Sequence, residues 1–139
     1  MRIFLTILFS ILGAFLLFMS CINNKKSSNT LDKKENLEFL SANVVGHYSG
    51  KLPCADCEAI NTVLELGKDH SYELVYTYVG KSSDKFIKNG NWKIEKNNLI
   101  LEGLDYEYKI VDGVLWQLDL AGNTIIGDLA ENYQLEKVK

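Results

Sequence analysis

From Val44 to the C-terminus, apolar and polar residues alternate in short runs, with turn-forming residues every eight to twelve positions. Residues 71–79 are the plainest case: the even-numbered positions hold Tyr or Leu, and three of the odd-numbered ones hold Val or Thr. Strands place successive side chains on opposite faces, whereas a helix repeats about every 3.6 residues. Since no long stretch after Val44 has helical apolar spacing, the sequence predicts an all-β domain.

The pattern predicts nine short strands joined mainly by tight turns. They cover residues 44–51, 59–67, 71–79, 89–95, 99–103, 105–111, 114–119, 124–128 and 132–137. Asn97-Asn98, Asp112-Gly113 and Gly122-Asn123 tolerate the positive φ of hairpin turns, which favours consecutive antiparallel pairing. Closure into a barrel removes the exposed edges of such a meander. We therefore predict a small antiparallel up-and-down β-barrel over 44–139, with a two-sheet sandwich as the open alternative.

The first twenty residues differ in composition from the rest of the chain. They contain fifteen apolar residues and one charge, Arg2, as in the n-region and h-region of a signal peptide. Their length also fits an uncleaved membrane anchor. However, Leu17-Phe18-Met19-Ser20-Cys21 resembles the lipobox of bacterial lipoproteins, in which the cysteine becomes the lipidated N-terminus. We expect a lipoprotein signal peptide over 1–20 and an acylated Cys21 that holds the protein on a membrane.

The remainder begins with a polar segment and carries a net negative charge. Residues 22–43 show no strand-like alternation, so we expect a lipidated cysteine and flexible tether over 21–43, with at most a helical turn or two. After the leader, fourteen lysines face eighteen acidic residues, a net charge of −4. This balance argues against nucleic-acid binding, which relies on attraction to phosphates. The length leaves room for one modest domain.

The chemically distinctive segment is Leu52-Pro53-Cys54-Ala55-Asp56-Cys57, between the first two predicted strands. Pro53, the only proline, has no N–H to donate, so we expect the chain to leave the sheet there and form a loop. With Cys21 acylated, two cysteines remain, a number suited to an oxidising compartment. Three interpretations stay open: a structural Cys54–Cys57 disulfide or dithiol, a metal site, and a redox pair.

If these cysteines form a metal site, the ligands that the sequence offers favour copper over zinc. Two thiolates form a soft ligand pair for Cu(I) or Zn(II), but a structural zinc site needs two further ligands, and the sequence has no second CxxC or HxxxH. Cu(I) accepts two ligands, and His47 on the preceding strand is a candidate third. A catalytic redox pair is disfavoured, because no thioredoxin-like βαβ unit is predicted and Asp56 and Glu58 would raise a thiol pKa.

No motif indicates an enzyme. The sequence contains no Gly-rich phosphate loop, no GxSxG and no HExxH. The acidic residues form no pair that the pattern places at hydrolase distances. We therefore predict a non-catalytic protein.

The order of these features resembles one known family, the NlpE N-terminal domain of bacterial lipoproteins. The family motif GxYxGxLPCADCxGIxT is matched by residues 46–62, GHYSGKLPCADCEAINT, except that Ala59 stands where glycine is usual. Gly90-Asn91-Trp92 and Tyr133-Gln134-Leu135 continue the resemblance, which extends over about 44–139.

The resemblance implies a lipocalin-like barrel on an outer-membrane lipid anchor, facing the periplasm. It also implies a role in reporting envelope stress, including copper excess, to a sensor kinase, with Cys54 and Cys57 as the copper-sensing or redox-sensing pair. The best-known members carry a second, OB-like domain, and we expect functions of that domain not to carry over. The alternatives are a lipocalin-like binder of a lipid or small hydrophobic ligand, and an interaction module for an envelope protein.

Overall fold

The computed structural model describes residues 28–139, with side chains from residue 33 onward. The predicted signal peptide, Cys21 and the first part of the predicted tether lie outside the described residues. The chain divides into two compact units, of which the second, Glu35–Lys139, contains the barrel.

Eight antiparallel strands close into a barrel in chain order. Their bounds are β1 Gly46–Leu52, β2 Ala59–Leu66, β3 Ser71–Val79, β4 Phe86–Glu95, β5 Asn98–Leu101, β6 Tyr106–Val111, β7 Val114–Gln117 and β8 Gln134–Lys137. Each strand pairs with the next, and β8 returns to pair with β1 through Tyr48↔Lys137 and Ser49↔Glu136. The predicted up-and-down barrel is confirmed, and the sandwich alternative is not what the chain forms.

The eighth predicted strand, at residues 124–128, is wrong. Residues 118–133 form a long connection with one isolated bridge, Leu118↔Thr124, and a short 3-10 helix, Ala130–Asn132. The Asp119 carboxylate accepts the backbone N–H groups of Ala121 and Asn123 at 2.9 and 2.8 Å, which holds a turn in place of a sheet ladder. In the apolar run that resembled a strand, Ile126 is 88% exposed and Ile125 is only half-buried.

Helix α1, Ser28–Val44, is longer than the helical turn or two predicted there. Its last residue, Val44, is buried against the barrel core, and the Lys137 ammonium donates a 2.7 Å hydrogen bond to the carbonyl of Asn43 in the final turn. Tertiary contacts of this kind stabilise helices that weak local propensity would leave unfolded. Within 28–139, no helix combines the length and apolarity needed to cross a bilayer.

The core fills the barrel interior with alternate side chains from its strands. Its fully buried members are mainly leucines and tyrosines: Tyr48, Leu64, Leu66, Leu74, Leu99, Leu101, Tyr108, Leu115 and Leu135. The strands run up and down, so the connections 53–58, 80–85, 102–105 and 118–133 all lie at one end, which we call the mouth. The end of α1 lies at the opposite end, the base, beside the first residues of β1.

Candidate functional site

The Cys-x-x-Cys loop lies at the mouth, between β1 and β2. The last register pair before it is Leu52↔Ile60, so residues 53–58 bridge two neighbouring strands. The loop closes on itself: the Cys54 and Cys57 sulfurs are bonded, with their Cα atoms 5.3 Å apart. Both cysteines are half-buried, which leaves the bridge accessible from the mouth.

An exposed ion pair links this loop to the 80–85 connection at the same end of the barrel. Lys81, in the 80–85 connection, pairs with the Asp56 carboxylate. The Lys81 hydrogen bond and charge together hold the pKa of Asp56 below its usual range. Asp56 Oδ1 also lies 3.6 Å from Cys54 Sγ, a contact and not a hydrogen bond, because a bridged sulfur carries no proton. A negative and a positive group therefore both stand beside the bridge.

The three candidate ligand atoms of the loop are close enough to share one ion. The two sulfurs and a carboxylate oxygen of Asp56 all lie within 4.8 Å of one another. In the bridged state the sulfurs offer no thiolate, and only reduction would supply two soft ligands. The donor set then fits Cu(I) at the sulfurs, while the Asp56 carboxylate is a hard ligand already engaged by Lys81.

The structure does not bring His47 to the cysteines. His47 pairs with Glu65 in the β1–β2 register, and its Nδ1 lies 3.7 Å from a Glu65 carboxylate oxygen. Five strand positions separate it from Leu52, and at about 3.3 Å per residue this places it roughly 17 Å from the mouth end of β1. The candidate third donor beside the cysteines is Asp56, within the motif itself.

A cavity of about 100 Å³ lies beneath the loop, inside the mouth of the barrel. Pro53, next to Cys54, forms part of its wall. The other lining residues are Leu52, Ile60, Thr62, Leu74, Tyr76, Tyr78, Tyr106, Tyr108, Gln117 and Tyr133. Burial raises the pKa of the Tyr108 hydroxyl well above its usual range, so that this side chain is a neutral donor or acceptor at the cavity wall.

No motif in the sequence singled out the residues that line this cavity. Tyr76 and Tyr78 continue the inward face of β3 beyond the buried Tyr72 and Leu74, but they are only half-buried. The sequence did contain a signal for the cavity: on the inward face of β3, Leu74 is followed by Tyr76 and Tyr78 toward the mouth. No comparable signal marked Gln117, whose burial depends on its neighbours.

The loop and most of the barrel match a known protein family. The family model of the NlpE N-terminal domain matches residues 48–128, which include the whole Cys-x-x-Cys loop. The chain belongs to the NlpE N-terminal domain family. The family resemblance seen in the sequence is confirmed.

Lipoprotein NlpE of Escherichia coli strain K12 is 32% identical over 123 residues, which are 85% of this chain and 50% of that protein. The chain thus spans about half the length of this curated relative. The name of this relative describes a lipoprotein. The absence of catalysis in this chain stays a prediction.

Two solved structures share the fold. A Shewanella oneidensis lipoprotein superposes with a TM-score of 0.63 at 40% identity, covering 68% of this chain and 88% of that one. The Cpx pathway activator NlpE of Escherichia coli superposes with a TM-score of 0.53 at 33% identity, covering 68% of this chain and 51% of that one.

Proposed function

We propose that this protein is a lipid-anchored lipoprotein of the bacterial cell envelope that activates an envelope-stress pathway of the Cpx type, with the Cys54–Cys57 loop as its sensing element. The observation that carries the proposal is the NlpE family match across that loop. The Escherichia coli relative is a Cpx pathway activator, which supports a sensor kinase of that pathway as partner.

The loop has the properties of a switch that leaves the barrel intact. A disulfide stabilises a fold mainly through the length of chain it closes, and the four-residue loop here corresponds to about 2 kcal/mol. The barrel is held by its closed sheet and its core, to which neither cysteine belongs. Opening the bridge takes two electrons and two protons, which a dithiol reductant would supply while itself becoming a disulfide. The opened loop would change the charge and mobility of the mouth without unfolding the domain.

Copper fits the reduced state of the same loop. Cys54 and Cys57 would bind Cu(I) as two thiolates, and copper binding and disulfide formation would then compete for the same sulfurs. Oxidation would favour the bridged loop, whereas copper excess would favour the open, copper-bound loop. Acylation of Cys21 would hold the domain at the outer membrane, facing the periplasm.

The signalling proposal is tested in Escherichia coli that lacks its own NlpE and carries a Cpx-responsive reporter. We expect the full-length chain to raise reporter output when overproduced, and the Cys21→Ser variant to lose this effect together with palmitate labelling. A chain that is made and labelled but leaves the reporter at its baseline would contradict a Cpx-type role.

The role of the loop is tested with the Cys54→Ser/Cys57→Ser variant in the same strain. We expect it to retain palmitate labelling and lose the reporter response to copper. Ser49→Ala, an exposed change on β1, is the matched control and should respond as wild type. An unchanged copper response in the double variant would exclude the loop as the sensing element.

Direct copper binding is measured on the reduced full-length chain in nanodiscs, by competition with a Cu(I) chelator. We expect the wild type to withdraw Cu(I) from the chelator and the double cysteine variant to fail. His47→Ala should bind as wild type, because His47 lies at the base. Equal binding by wild type and the double variant would contradict the copper proposal.

A further inference from the structure

We propose that the exposed edge of β4 at residues 85–90 is a docking site for an extended, acidic segment of a partner protein, which adds to the sheet there as an antiparallel strand. The site is separate from the proposed sensing loop, since it requires neither the Cys54–Cys57 bridge nor acylation of Cys21.

The barrel wall is incomplete beside the first half of β4. This strand pairs with β3 from Phe86 to Asn91, but its register with β5 begins only at Trp92, opposite Leu101. At Leu101 β5 ends, and the chain turns through residues 102–105 into β6. About five residues of β4, roughly 17 Å of strand, therefore have no neighbouring strand on that side among the described residues.

The exposure of the side chains shows that nothing in residues 33–139 covers this edge. In a strand inside a closed barrel every second side chain points inward, yet Phe86, Ile87, Lys88 and Asn89 are all exposed. Phe86 and Lys88 share a face with the inward side chains of β3 opposite them. They are exposed because no strand closes the wall beside them.

The backbone groups along this edge are oriented to pair with a further strand. The N–H of Trp92 donates to a carbonyl on the β3 side at 2.7 Å, and the carbonyl of Asn91 accepts the N–H of Glu102 on the β5 side at 2.8 Å. Successive residues of a strand direct these groups to alternate sides, so Ile87 and Asn89 direct theirs to the β5 side. There the described chain has no strand opposite them. Strand addition uses such a row of donors and acceptors.

The charge of the edge selects an acidic partner. Lys85 and Lys88 lie beside the free backbone groups, and neither forms an ion pair with an acid in residues 33–139. Residues 85–90 contain no acidic side chain, and Asp84 just before them is hydrogen-bonded to the Ser82 hydroxyl at 2.7 Å. The two lysines are an odd number of positions apart and so lie on opposite faces of the strand. Opposite charges across a strand pair are stabilising, so a partner with two acids three positions apart fits both lysines.

A second copy of this chain fits the edge less well. Pairing of two β4 edges would gather four lysines in one pair of strands, and residues 85–90 supply no acid to offset them. Like charges across strands are destabilising, and lysine at a sheet edge is a common protection against such self-pairing. The same lysines that oppose a second copy attract an acidic strand.

An apolar row leads up to the edge on the outer face of the barrel. Val63 pairs with Val75, and Val75 pairs with Ile87, which is 54% exposed. A β-branched residue of the partner opposite Ile87 would continue this row, since cross-strand pairs of such side chains are stabilising. The preferred partner strand therefore carries this residue between its two acids.

Binding is measured on the full-length chain in phosphatidylcholine nanodiscs, by fluorescence anisotropy of a labelled peptide, with empty nanodiscs as the background. The peptide STEVTETS, run antiparallel to β4, places its glutamates opposite Lys88 and Lys85 and its valine opposite Ile87. We expect STKVTKTS, with lysine in place of glutamate, to bind roughly tenfold more weakly or less, the effect of two exposed pairs changed from attraction to repulsion.

Backbone methylation of the peptide separates strand addition from contact through side chains alone. N-methylation of the first threonine and the valine blocks the N–H groups that face Asn89 and Ile87, and should abolish binding. N-methylation of the first glutamate and the second threonine changes N–H groups that face away from β4, and should be tolerated.

Two variants of the chain test the same edge from the protein side. Asn89→Pro removes one N–H from the free edge and no ladder hydrogen bond, a position at which strands tolerate proline. It should keep a cooperative urea transition and lose peptide binding, whereas Asn89→Ala, which keeps the N–H, should bind as wild type. Lys85→Glu/Lys88→Glu, two exposed changes, should reverse the preference and bind STKVTKTS more tightly than STEVTETS.

Four results would overturn the site: no binding of STEVTETS above background, equal binding of the two peptides, equal tolerance of both methylated pairs, or an unchanged preference in Lys85→Glu/Lys88→Glu. A wild-type chain that is dimeric in detergent and made monomeric by Asn89→Pro would assign the edge to a second copy, and would also overturn it. The Cys54→Ser/Cys57→Ser variant should keep the peptide preference. The docking site and the proposed signalling function can therefore fail separately.

Discussion

The hydroxyl of Tyr48 donates a 2.7 Å hydrogen bond to the backbone carbonyl of Val44, the last residue of α1. Both residues are 1% exposed, so the bond lies inside the base of the barrel. The last carbonyl groups of a helix have no partner within the helix, and here one of them is satisfied by a strand side chain. The bond therefore joins the end of α1 to β1.

Removing this hydroxyl should destabilise the domain. In Tyr48→Phe the Val44 carbonyl stays buried without its partner, and we expect a loss of about 1–2 kcal/mol in the free energy of unfolding. Urea denaturation of the full-length chain in nanodiscs measures it. Tyr76→Phe is the control, because its hydroxyl has no hydrogen bond to a residue in 33–139, and it should lose less than about half as much. Equal losses in the two variants would contradict the role of the bond.

The same burial predicts a loss of stability in alkali. Burial raises the pKa of Tyr48 from 10.0 to about 12. The folded chain therefore keeps a proton that the unfolded chain releases between these values, so stability is complete below pH 10 and falls as the pH rises toward 12. Tyr48→Phe should lose stability less steeply over this window, measured as the urea midpoint at about pH 9, 10 and 11. A variant that follows the wild-type slope would contradict this assignment.

The alternation of residues was enough to predict most of the strands, because strand period and turn chemistry are local properties. It left the choice between a barrel and a sandwich open, and the structure decides it. Tyr72, Leu74 and Tyr108 lie inside as their strand positions require. The 17-residue α1 and the absence of a strand at 124–128 were not predictable in this way. Both depend on particular side chains or distant partners: α1 on contacts with β1 and β8, and the connection on the Asp119 turn.

The candidate site was half predictable for the same reason. The loop of Cys54 and Cys57 follows from the motif and from Pro53, all within six residues. The cavity beneath it gathers side chains from β1, β2, β3, β6 and β7, and no local pattern reports which of those strand ends converge. The pairing of Asp56 with Lys81, 25 residues apart, is likewise a product of the closed fold.

Closure of the barrel between β1 and β8 requires a glycine at position 50, because the two strands approach closely there. A Cβ at this position would lie 2.3 Å from the Gln134 carbonyl oxygen and 2.9 Å from Leu135 Cδ2, both on β8. Since β8 has only four residues, it has little room to shift along β1. We expect Gly50→Ala to cost about 2–4 kcal/mol, within the range of severe steric substitutions. Thermal unfolding followed by circular dichroism measures this.

The control for that substitution is Ser49→Ala, on the same strand with its side chain exposed. It should unfold within a few degrees of wild type, while Gly50→Ala should unfold about 10 °C lower or more, at the 4–8 °C per kcal/mol typical of a domain this size. If both variants melt together with the wild type, the β1–β8 contact is not the close approach that the structure places there.

The two charges beside the disulfide should change the reactivity of the reduced cysteines in opposite directions: Asp56 should lower it and Lys81 should raise it. Asp56 lies near Cys54, where its negative charge raises a thiol pKa, and Lys81 offsets that charge. In the reduced full-length chain, Asp56→Asn should speed alkylation by iodoacetamide at about pH 7 several-fold, and Lys81→Gln should slow it, because the thiolate is the reacting form. Glu95→Gln, an exposed change at the far end of β4, should react as wild type. Equal rates for Asp56→Asn and Lys81→Gln would mean that the ion pair does not act on the sulfurs, and the loop would then owe its reactivity to exposure alone.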